Sequence, residues 1–242
     1  MDREIVEKIS KIAIDFQGLS AKARQNAIQE YKKNEPNGLF AVRVALDGQI
    51  ARMVNRFQEK IENSDEKISY QLDLSASFIR THFLIDDLIL SGDIIEALTL
   101  IRKQIENLAR LIEIDEKPLA KIARKTPNVC NILKKPGKKL YPELSEVAHF
   151  GSPRVGELIK IKNEDGNKCG PSVFPLFTDT LFEVYKQHSF ISIYFMFWII
   201  GFLKEIYKDK YDSFSDESIM EEIFEKAILL DIIRLDLEDN KK

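Results

Sequence analysis

Apolar residues recur at intervals of three and four positions along most of this chain, which is the pattern of helices that bury one face. The pattern predicts six long helices, over about 1–34, 39–61, 67–90, 93–112, 179–208 and 215–237. A shorter helix is predicted from Pro142 to Gly151, because proline is accepted in the first turn of a helix. The spacing therefore favours a mainly α fold.

One apolar run, over 190–203, raises the question of a membrane. Its 14 residues are fewer than the about 20 that a spanning helix needs, and a run of this length is typical of a buried helix. We therefore predict a core helix and no membrane association.

A different pattern precedes the last two long helices. Leu158, Ile159 and Ile161 lead into Asp165-Gly166, which is a favoured hairpin turn. This predicts a small β-hairpin over 157–170, with an edge strand open to pairing with a second copy. The fold class is then a multi-helix bundle with one small β-hairpin inserted before the last two long helices, in a single helical domain over 1–242. Alternatively, the helices of 1–62 form an appended helical hairpin.

Composition and charge narrow the class of protein. Ten glycines and eight prolines are few for a strand-rich protein built on tight turns. A formal net charge of -3 gives no global attraction to nucleic acid or to an anionic membrane. The two cysteines are too few for a disulfide framework and no export signal is visible, so we expect a cytoplasmic protein. No phosphate-binding loop motif occurs in the sequence, and no cofactor is predicted.

Arg102 lies at the edge of the most regular apolar stripe, which comprises Leu98, Ile101, Ile105, Leu108 and Ile112. Glu106 follows one turn later and can pair with the guanidinium. One interpretation is an ordinary surface ion pair worth about 0.2–0.5 kcal/mol. The other is a guanidinium held by Glu106 and directed at a carboxylate or phosphate.

His149 lies in the last turn of the predicted short helix, one turn after Ser145. The imidazole can act as an acid, a base or an anion contact, and Ser145 can orient it or act as a nucleophile. No G-x-S-x-G elbow surrounds Ser145, so serine hydrolysis is not favoured. The alternative is that His149 only caps its helix. We predict that Arg102 and Glu106 pack against this helix and form one hydrogen-bonded cluster with Ser145 and His149, because an unpaired buried charge is costly.

The other two histidines, His82 and His188, are predicted to be structural or surface residues. No metal-ligand spacing links the three histidines, so no metal site is predicted.

The segment 117–142, which we term the basic segment, contains eight basic residues and no acidic one. They are Lys117, Lys121, Arg124, Lys125, Lys134, Lys135, Lys138 and Lys139. The last four directly precede the helix of His149 and are candidates to hold a phosphate backbone. The alternative is a solvated surface, neutralised by the acidic last helix.

The stretch from Ser75 to about Tyr185 contains both polar pairs, in Glu96-Ala97-Leu98-Thr99-Leu100-Ile101-Arg102 with Glu106 and in Leu144-Ser145-Glu146-Val147-Ala148-His149. It resembles uncharacterised helical bacterial proteins in which an Arg-x-x-x-Glu helix precedes a Ser-x-x-x-His segment. These proteins are similar in outline to HEPN-type helical domains, a group that includes RNA-cleaving toxins, phage-defence factors and inactive relatives, and that is usually dimeric. The RNA-cleaving HEPN motif is an arginine followed after four to six residues by a histidine. No histidine of this chain has an arginine at that distance, so Arg102 would take that place from a different helix.

Two functions remain open. The first is an HEPN-like protein that binds or cleaves RNA in a defence or toxin-type role, with His149 as acid, base or phosphate contact and Arg102 stabilising phosphate charge. If it is an enzyme, the activity is ribonuclease-like and independent of a metal. The second is a non-catalytic helical module that binds a protein partner or itself, with a purely structural polar cluster. A homo-oligomer is expected, and salt-sensitive RNA binding separates the two functions.

Overall fold

The computed structural model describes residues 3–56, 61, 64–162 and 168–234. Across these residues the chain forms nine α-helices, two 3₁₀ helices and one two-stranded sheet. The α-helices are α1 (Arg3–Asn34), α2 (Asn37–Arg56), α3 (Glu66–Ser91), α4 (Ile94–Glu116), α5 (Leu119–Ile122), α6 (Val129–Ile132), α7 (Lys134–Ala148), α8 (Thr180–Tyr207) and α9 (Phe214–Leu229). The strands are β1 (Lys160–Lys162) and β2 (Lys168–Pro171), and the 3₁₀ helices are Pro153–Ile159 and Lys208–Lys210. The predicted helical bundle with a hairpin before the last two long helices is confirmed, and the predicted continuation of α2 over 57–60 lies outside the described residues.

Helix α8 packs against α2, α3, α4 and α9. Its Phe195 stacks on Phe78 of α3 with ring centroids 3.9 Å apart. By length and composition alone Thr180–Lys210 could cross a membrane, but 56% of its most apolar window is buried inside the protein. Most positions of the run 190–203 are buried, as predicted for a core helix.

A tight turn joins α3 to α4. Asp65 caps the start of α3 by accepting a hydrogen bond from the Ile68 N–H at 2.7 Å. Gly92 ends the helix in the left-handed conformation, with φ at 83°. A Cβ at Gly92 would lie 2.6 Å from the Leu176 carbonyl oxygen, so glycine is required there for space as well as for φ. The turn places the two long helices side by side, which brings their polar residues into the same core.

Helix α7 begins earlier than predicted. It starts at Lys134, and Pro142, which we expected near its first turn, lies inside it. Proline removes the backbone hydrogen bond to the carbonyl of the residue four positions earlier, here Lys138. Both residues are exposed, and a missing bond costs less at a hydrated surface than in a core. The helix ends with His149 as its C-cap, followed by Phe150 at a φ of 48°.

The predicted hairpin is present with a shorter first strand. The two strands pair antiparallel, with Lys160 opposite Pro171. Leu158 and Ile159, which we predicted as strand, belong instead to the 3₁₀ helix Pro153–Ile159, because a proline at its start favours a helical turn. The predicted Asp-Gly turn lies outside the described residues.

Helix α9 is shorter than its apolar pattern predicts. It ends at Leu229 because Asp231 adopts a φ of 58° and the Ile232 N–H turns back to the Ala227 carbonyl at 2.9 Å. Ile232 and Ile233 are thereby buried in the core. Apolar residues that looked like further helical turns instead close the end of the bundle.

The first half of α1 carries an exposed apolar stripe. The stripe recurs at intervals of four and three residues and comprises Ile5, Ile9, Ile12, Phe16 and Leu19, each at least half exposed. The buried residues of α1 are Ala27 and Tyr31, in its second half. Only that second half is therefore anchored in the core of the described protein.

Candidate functional site

Arg102 and His149, predicted to share a site, are in contact across two helices. Arg102 is on α4, and His149 caps the end of α7. Nη1 of Arg102 lies 2.8 Å from Nε2 of His149. A guanidinium has donors only, so Nε2 accepts this hydrogen bond and the proton of the neutral imidazole is assigned to Nδ1. The exposed His149 ring therefore offers an N–H donor beside a positive charge.

Glu106 and Tyr141 hold Arg102 in place. Oε1 of Glu106 lies 3.2 Å from Nη2 of Arg102, as expected for the predicted pair. Tyr141 of α7 accepts a hydrogen bond from Nη2 at 3.3 Å and donates its hydroxyl proton to Oε1 of Glu106 at 2.7 Å. The guanidinium carbon also lies 5.4 Å from the centroid of the Tyr141 ring, within cation–π range.

Our sequence reasoning missed Tyr141 because it began the helix at Pro142. Tyr141 precedes His149 by eight residues, which places it about 80° from His149 around the helix axis once the helix starts at Lys134. Both side chains contact Arg102.

Ser145 does not join this group through its side chain. Its carbonyl accepts a hydrogen bond from the His149 N–H at 3.2 Å. Among the hydrogen bonds of the described residues, none joins the Ser145 hydroxyl to Arg102, Glu106 or His149. The structure thus brings together Arg102, Glu106, Tyr141 and His149, which we term the α4–α7 cluster, and the predicted role of Ser145 as a nucleophile has no contact to support it.

The α4–α7 cluster is half-buried and charged. The side chains of Arg102 and Glu106 are 21% and 28% exposed. The hydrogen bond to Tyr141 and the charge of Glu106 raise the pKa of Arg102, and burial together with the Glu106 hydrogen bond raises the pKa of Tyr141. Arg102 is therefore cationic and Tyr141 protonated at neutral pH. Within the described protein, Nε of Arg102 is buried without a hydrogen-bond partner, so the guanidinium is not saturated.

Lys138 extends the charged surface along α7. It precedes His149 by 11 residues, about 16 Å along a helix axis, and lies within about 20° of His149 in angle. Its side chain is exposed. Lys138 and His149 thus lie on one face of the helix.

The basic side chains of the basic segment are exposed where the structure describes them. Lys134 and Lys135 lie in the first turn of α7, but their side chains are outside the described part. The exposed basic residues are Lys117, Lys121, Arg124, Lys125, Lys138 and Lys139. Lys117 is paired with Glu113 at 3.5 Å.

A second polar cluster lies in the core. His82 and Asp86 are one turn apart on α3, and His188 comes from α8. Nε2 of His82 lies 3.4 Å from Oδ2 of Asp86, and Nε2 of His188 lies 3.3 Å from Oδ1 of the same carboxyl group. Asp47 of α2 places its Oδ1 3.0 Å from Nε2 of His82. We term Asp47, His82, Asp86 and His188 the core cluster.

Each imidazole of the core cluster also contacts a polar side chain through its second ring nitrogen, Nδ1. Nδ1 of His82 lies 3.0 Å from the Ser192 hydroxyl, and Nδ1 of His188 lies 3.0 Å from Oε1 of Gln104. Nε2 of Gln104 donates to the Phe78 carbonyl at 3.4 Å, which turns Oε1 toward His188. Since Oε1 only accepts, His188 carries its proton on Nδ1, and its Nε2 is a bare acceptor.

Burial sets the charge of the core cluster. Burial lowers the pKa of His82 and lowers that of His188 to about 3. Burial raises the pKa of Asp86 to about 8. In the described protein, both Asp86 carboxyl oxygens and Nε2 of His188 have no hydrogen-bond partner. Asp86 is therefore mostly protonated at neutral pH unless a cation displaces its proton, and its oxygens and Nε2 of His188 lie close together without a hydrogen bond of good geometry.

Our sequence reasoning considered only the spacing among histidines and missed this cluster. His82 and His188 are 106 residues apart, so only the tertiary fold brings their rings to a centroid distance of 4.5 Å. The available signal was the four-residue spacing of His82 and Asp86, which places both on one face of a helix.

Comparisons of this chain with protein-family models, with curated proteins and with solved structures find no match. The two clusters are therefore interpreted from their geometry and chemistry.

Proposed function

We propose that the protein binds RNA at the α4–α7 cluster, as the resemblance to HEPN-type domains implies. The observation that supports this most directly is the 2.8 Å contact between Nη1 of Arg102 and Nε2 of His149. It pairs an arginine with a histidine from a different helix, which is the arrangement that an HEPN-like site needs in this chain. A guanidinium beside an imidazole N–H suits a phosphodiester, whose oxygens accept hydrogen bonds from both.

The charge distribution along α7 supports a ligand longer than one phosphate. Lys138 lies about 16 Å from His149 along the helix, on nearly the same face. A chain of phosphates can contact both residues, whereas a single phosphate cannot. The defence or toxin-type role implied by the resemblance rests on this RNA binding.

Cleavage is a further activity that His149 would make possible. In metal-independent cleavage a base removes the proton of the ribose 2′-hydroxyl, the 2′-oxygen bonds to phosphorus, and an acid protonates the departing 5′-oxygen. His149 is the one imidazole of the cluster, so it supplies one of these two proton transfers. A second copy of the chain in a dimer would supply the other, and cleavage is accordingly tested separately from binding.

The test is RNA affinity as a function of salt, measured by the fluorescence anisotropy of a labelled single-stranded RNA. We expect the affinity to fall steeply between about 50 and about 200 mM salt. Arg102→Gln and His149→Gln should both weaken binding, and Arg102→Gln should reduce the slope of log affinity against log salt by about 0.7. The same samples, incubated and run on a gel, report cleavage.

The matched control is Arg80→Gln, which removes an exposed arginine from α3. It should bind RNA as the wild type does, and circular dichroism establishes that each variant is folded. Absence of salt-sensitive binding in the wild type, or equal effects of Arg102→Gln and Arg80→Gln, would refute the proposal.

The second candidate function is self-association, and the exposed stripe of α1 favours it. Apolar residues at alternating intervals of four and three are the pattern of a seam between two paired helices, so we propose that a second copy of α1 covers this stripe. The double variant Ile9→Glu, Ile12→Glu should convert a dimer into a monomer in light scattering, while Ser10→Glu, at an exposed polar position on the same helix, should remain dimeric. A monomeric wild type, or a dimer that survives the double variant, contradicts this interface.

A further inference from the structure

We propose that the core cluster binds a divalent transition-metal ion of the zinc, iron or manganese type, with His82, Asp86 and His188 as ligands and the Asp47 carboxylate beside His82 as a further negative charge. This site is independent of the proposed RNA binding, and either proposal can fail without the other.

The spacing of the ligand atoms fits an ion. One ligand atom from each of His82, Asp86 and His188 lies within 4.8 Å of the others. Bonds of about 2.1 Å in a tetrahedral site place neighbouring ligand atoms about 3.4 Å apart. Nε2 of His82 lies 3.4 Å from Oδ2 of Asp86, and Nε2 of His188 lies 3.3 Å from Oδ1, so each imidazole has about this spacing to one of the two carboxyl oxygens.

The unpaired acceptors are an independent observation. His188 is fully buried and Asp86 is 6% exposed, and in the described protein Nε2 of His188 and both Asp86 oxygens have no hydrogen-bond partner. Buried acceptors are ordinarily satisfied. Here they belong to residues whose ligand atoms lie within 4.8 Å of one another, so one cation could be bound by His188 and Asp86 together.

The surroundings also match a metal site. Metal-binding histidines usually donate the proton of their other nitrogen to a neighbouring acceptor, which fixes the tautomer and the ring orientation. Gln104 accepts from Nδ1 of His188, and the Ser192 hydroxyl lies 3.0 Å from Nδ1 of His82. Because the Asp47 carboxylate accepts from Nε2 of His82, this imidazole binds an ion only after its proton moves to Nδ1, where Ser192 can accept it. Nε2 of His188 already carries a lone pair.

The charge of the core cluster and its access to solvent also suit a divalent ion. Asp47 and Asp86 together balance the charge of a divalent ion once the ion displaces the proton of Asp86. Nitrogen and carboxylate ligands favour zinc, iron or manganese over calcium and magnesium, which prefer oxygen ligands alone. The Asp47 side chain is 26% exposed, which gives an ion a route from solvent.

The experiment is cobalt titration of the full chain after treatment with a chelator. We expect one Co²⁺ per chain, with visible absorption bands that zinc abolishes by displacement. Asp86→Asn and His188→Gln should lose this binding, whereas His149→Gln, which changes the exposed histidine, should keep it.

X-ray absorption of the zinc-loaded wild type tests the ligands without any substitution. Two imidazole ligands are expected. Absence of cobalt and zinc binding, which would mean that a proton alone bridges the cluster, overturns the proposal. Binding that persists in both Asp86→Asn and His188→Gln, or a zinc ion with fewer than two imidazole ligands, overturns it as well.

Discussion

Arg102 and Gln104 lie two residues apart on α4, but they hold two different kinds of histidine. Arg102 contacts the exposed His149, and Gln104 contacts the buried His188. Two residues along a helix are separated by about 200° in angle, so one side chain reaches α7 and the other reaches α8. The α4–α7 cluster and the core cluster are thus presented by nearly opposite faces of one helix.

The two clusters differ in whether their polar atoms find hydrogen-bond partners within the protein. In the α4–α7 cluster, cation, phenol and carboxylate form hydrogen bonds with one another, and water can reach the exposed ring. In the core cluster, the Asp86 oxygens and Nε2 of His188 are buried and, among the described residues, have no hydrogen-bond partner. An unsatisfied buried group costs about 1–3 kcal/mol. The same residue types therefore suggest an open binding surface in one region and an internal ion site in the other.

The largest expected effect is the stabilisation of the protein by zinc, which should depend on the core cluster and not on the α4–α7 cluster. Zinc at about 100 times its dissociation constant should raise the free energy of unfolding of the metal-free protein by about 2.7 kcal/mol, measured by urea denaturation. Asp86→Asn should lose this gain, yet be at least as stable as the wild type without metal, because a neutral amide replaces a buried carboxyl group. His149→Ala should retain the gain. An equal gain in Asp86→Asn would contradict the assignment of the core cluster.

A smaller effect is expected for Arg102→Ala. Without the guanidinium, Tyr141 loses a charge-assisted hydrogen bond and Glu106 loses its ion-pair partner, so the free energy of unfolding should fall by about 1–2 kcal/mol. His149→Ala should change it by less than about 0.5 kcal/mol, because this side chain is exposed. Urea denaturation of both variants measures the difference. If His149→Ala costs as much as Arg102→Ala, the contact is structural and the α4–α7 cluster loses its functional interpretation.

The smallest effect concerns the extent of the RNA-binding surface. Lys138→Gln should lower the slope of log RNA affinity against log salt by about 0.7, with no change in thermal stability, because it removes one exposed phosphate contact. Lys226→Gln, at an exposed position of α9, is the matched control and should leave the slope unchanged. Equal slopes for the two variants would confine the interaction to Arg102 and His149.

The long helices were predictable because helical signals are local. The start of α3 follows from its cap residue Asp65, and the start of α4 from apolar spacing within a few positions of the chain, since Asp93 binds Arg24 and Ser91 and makes no cap hydrogen bond. The start of α7 was not predictable in this way, since Pro142 is tolerated inside that helix only because its surface is exposed. The end of α9 was missed for the opposite reason, because Ile232 and Ile233 turn back into a core that only the tertiary structure defines.

The two candidate sites also differ in how far local sequence signals predict them. Arg102 with Glu106 is a local pair, four residues apart on a helix, and could be read from the sequence. The contact of Arg102 with His149 was expected because a half-buried arginine needs hydrogen-bond partners. Tyr141 was not predicted as a partner because the helix was predicted to begin at Pro142. The core cluster depends on contacts between α2, α3 and α8, and no spacing along the chain reports them.

The division of the three histidines into a buried metal-binding pair and an exposed RNA contact is the central claim, and side-chain NMR tests it most directly. Selective ¹⁵N labelling of histidine gives three sets of ring signals, and His149→Gln identifies one of them by its loss. Zinc added to the metal-free protein should shift the Nε2 signals of His82 and His188 and leave His149 unchanged, while RNA should shift His149 alone. A zinc response at His149, or no response at the buried pair, would contradict the account.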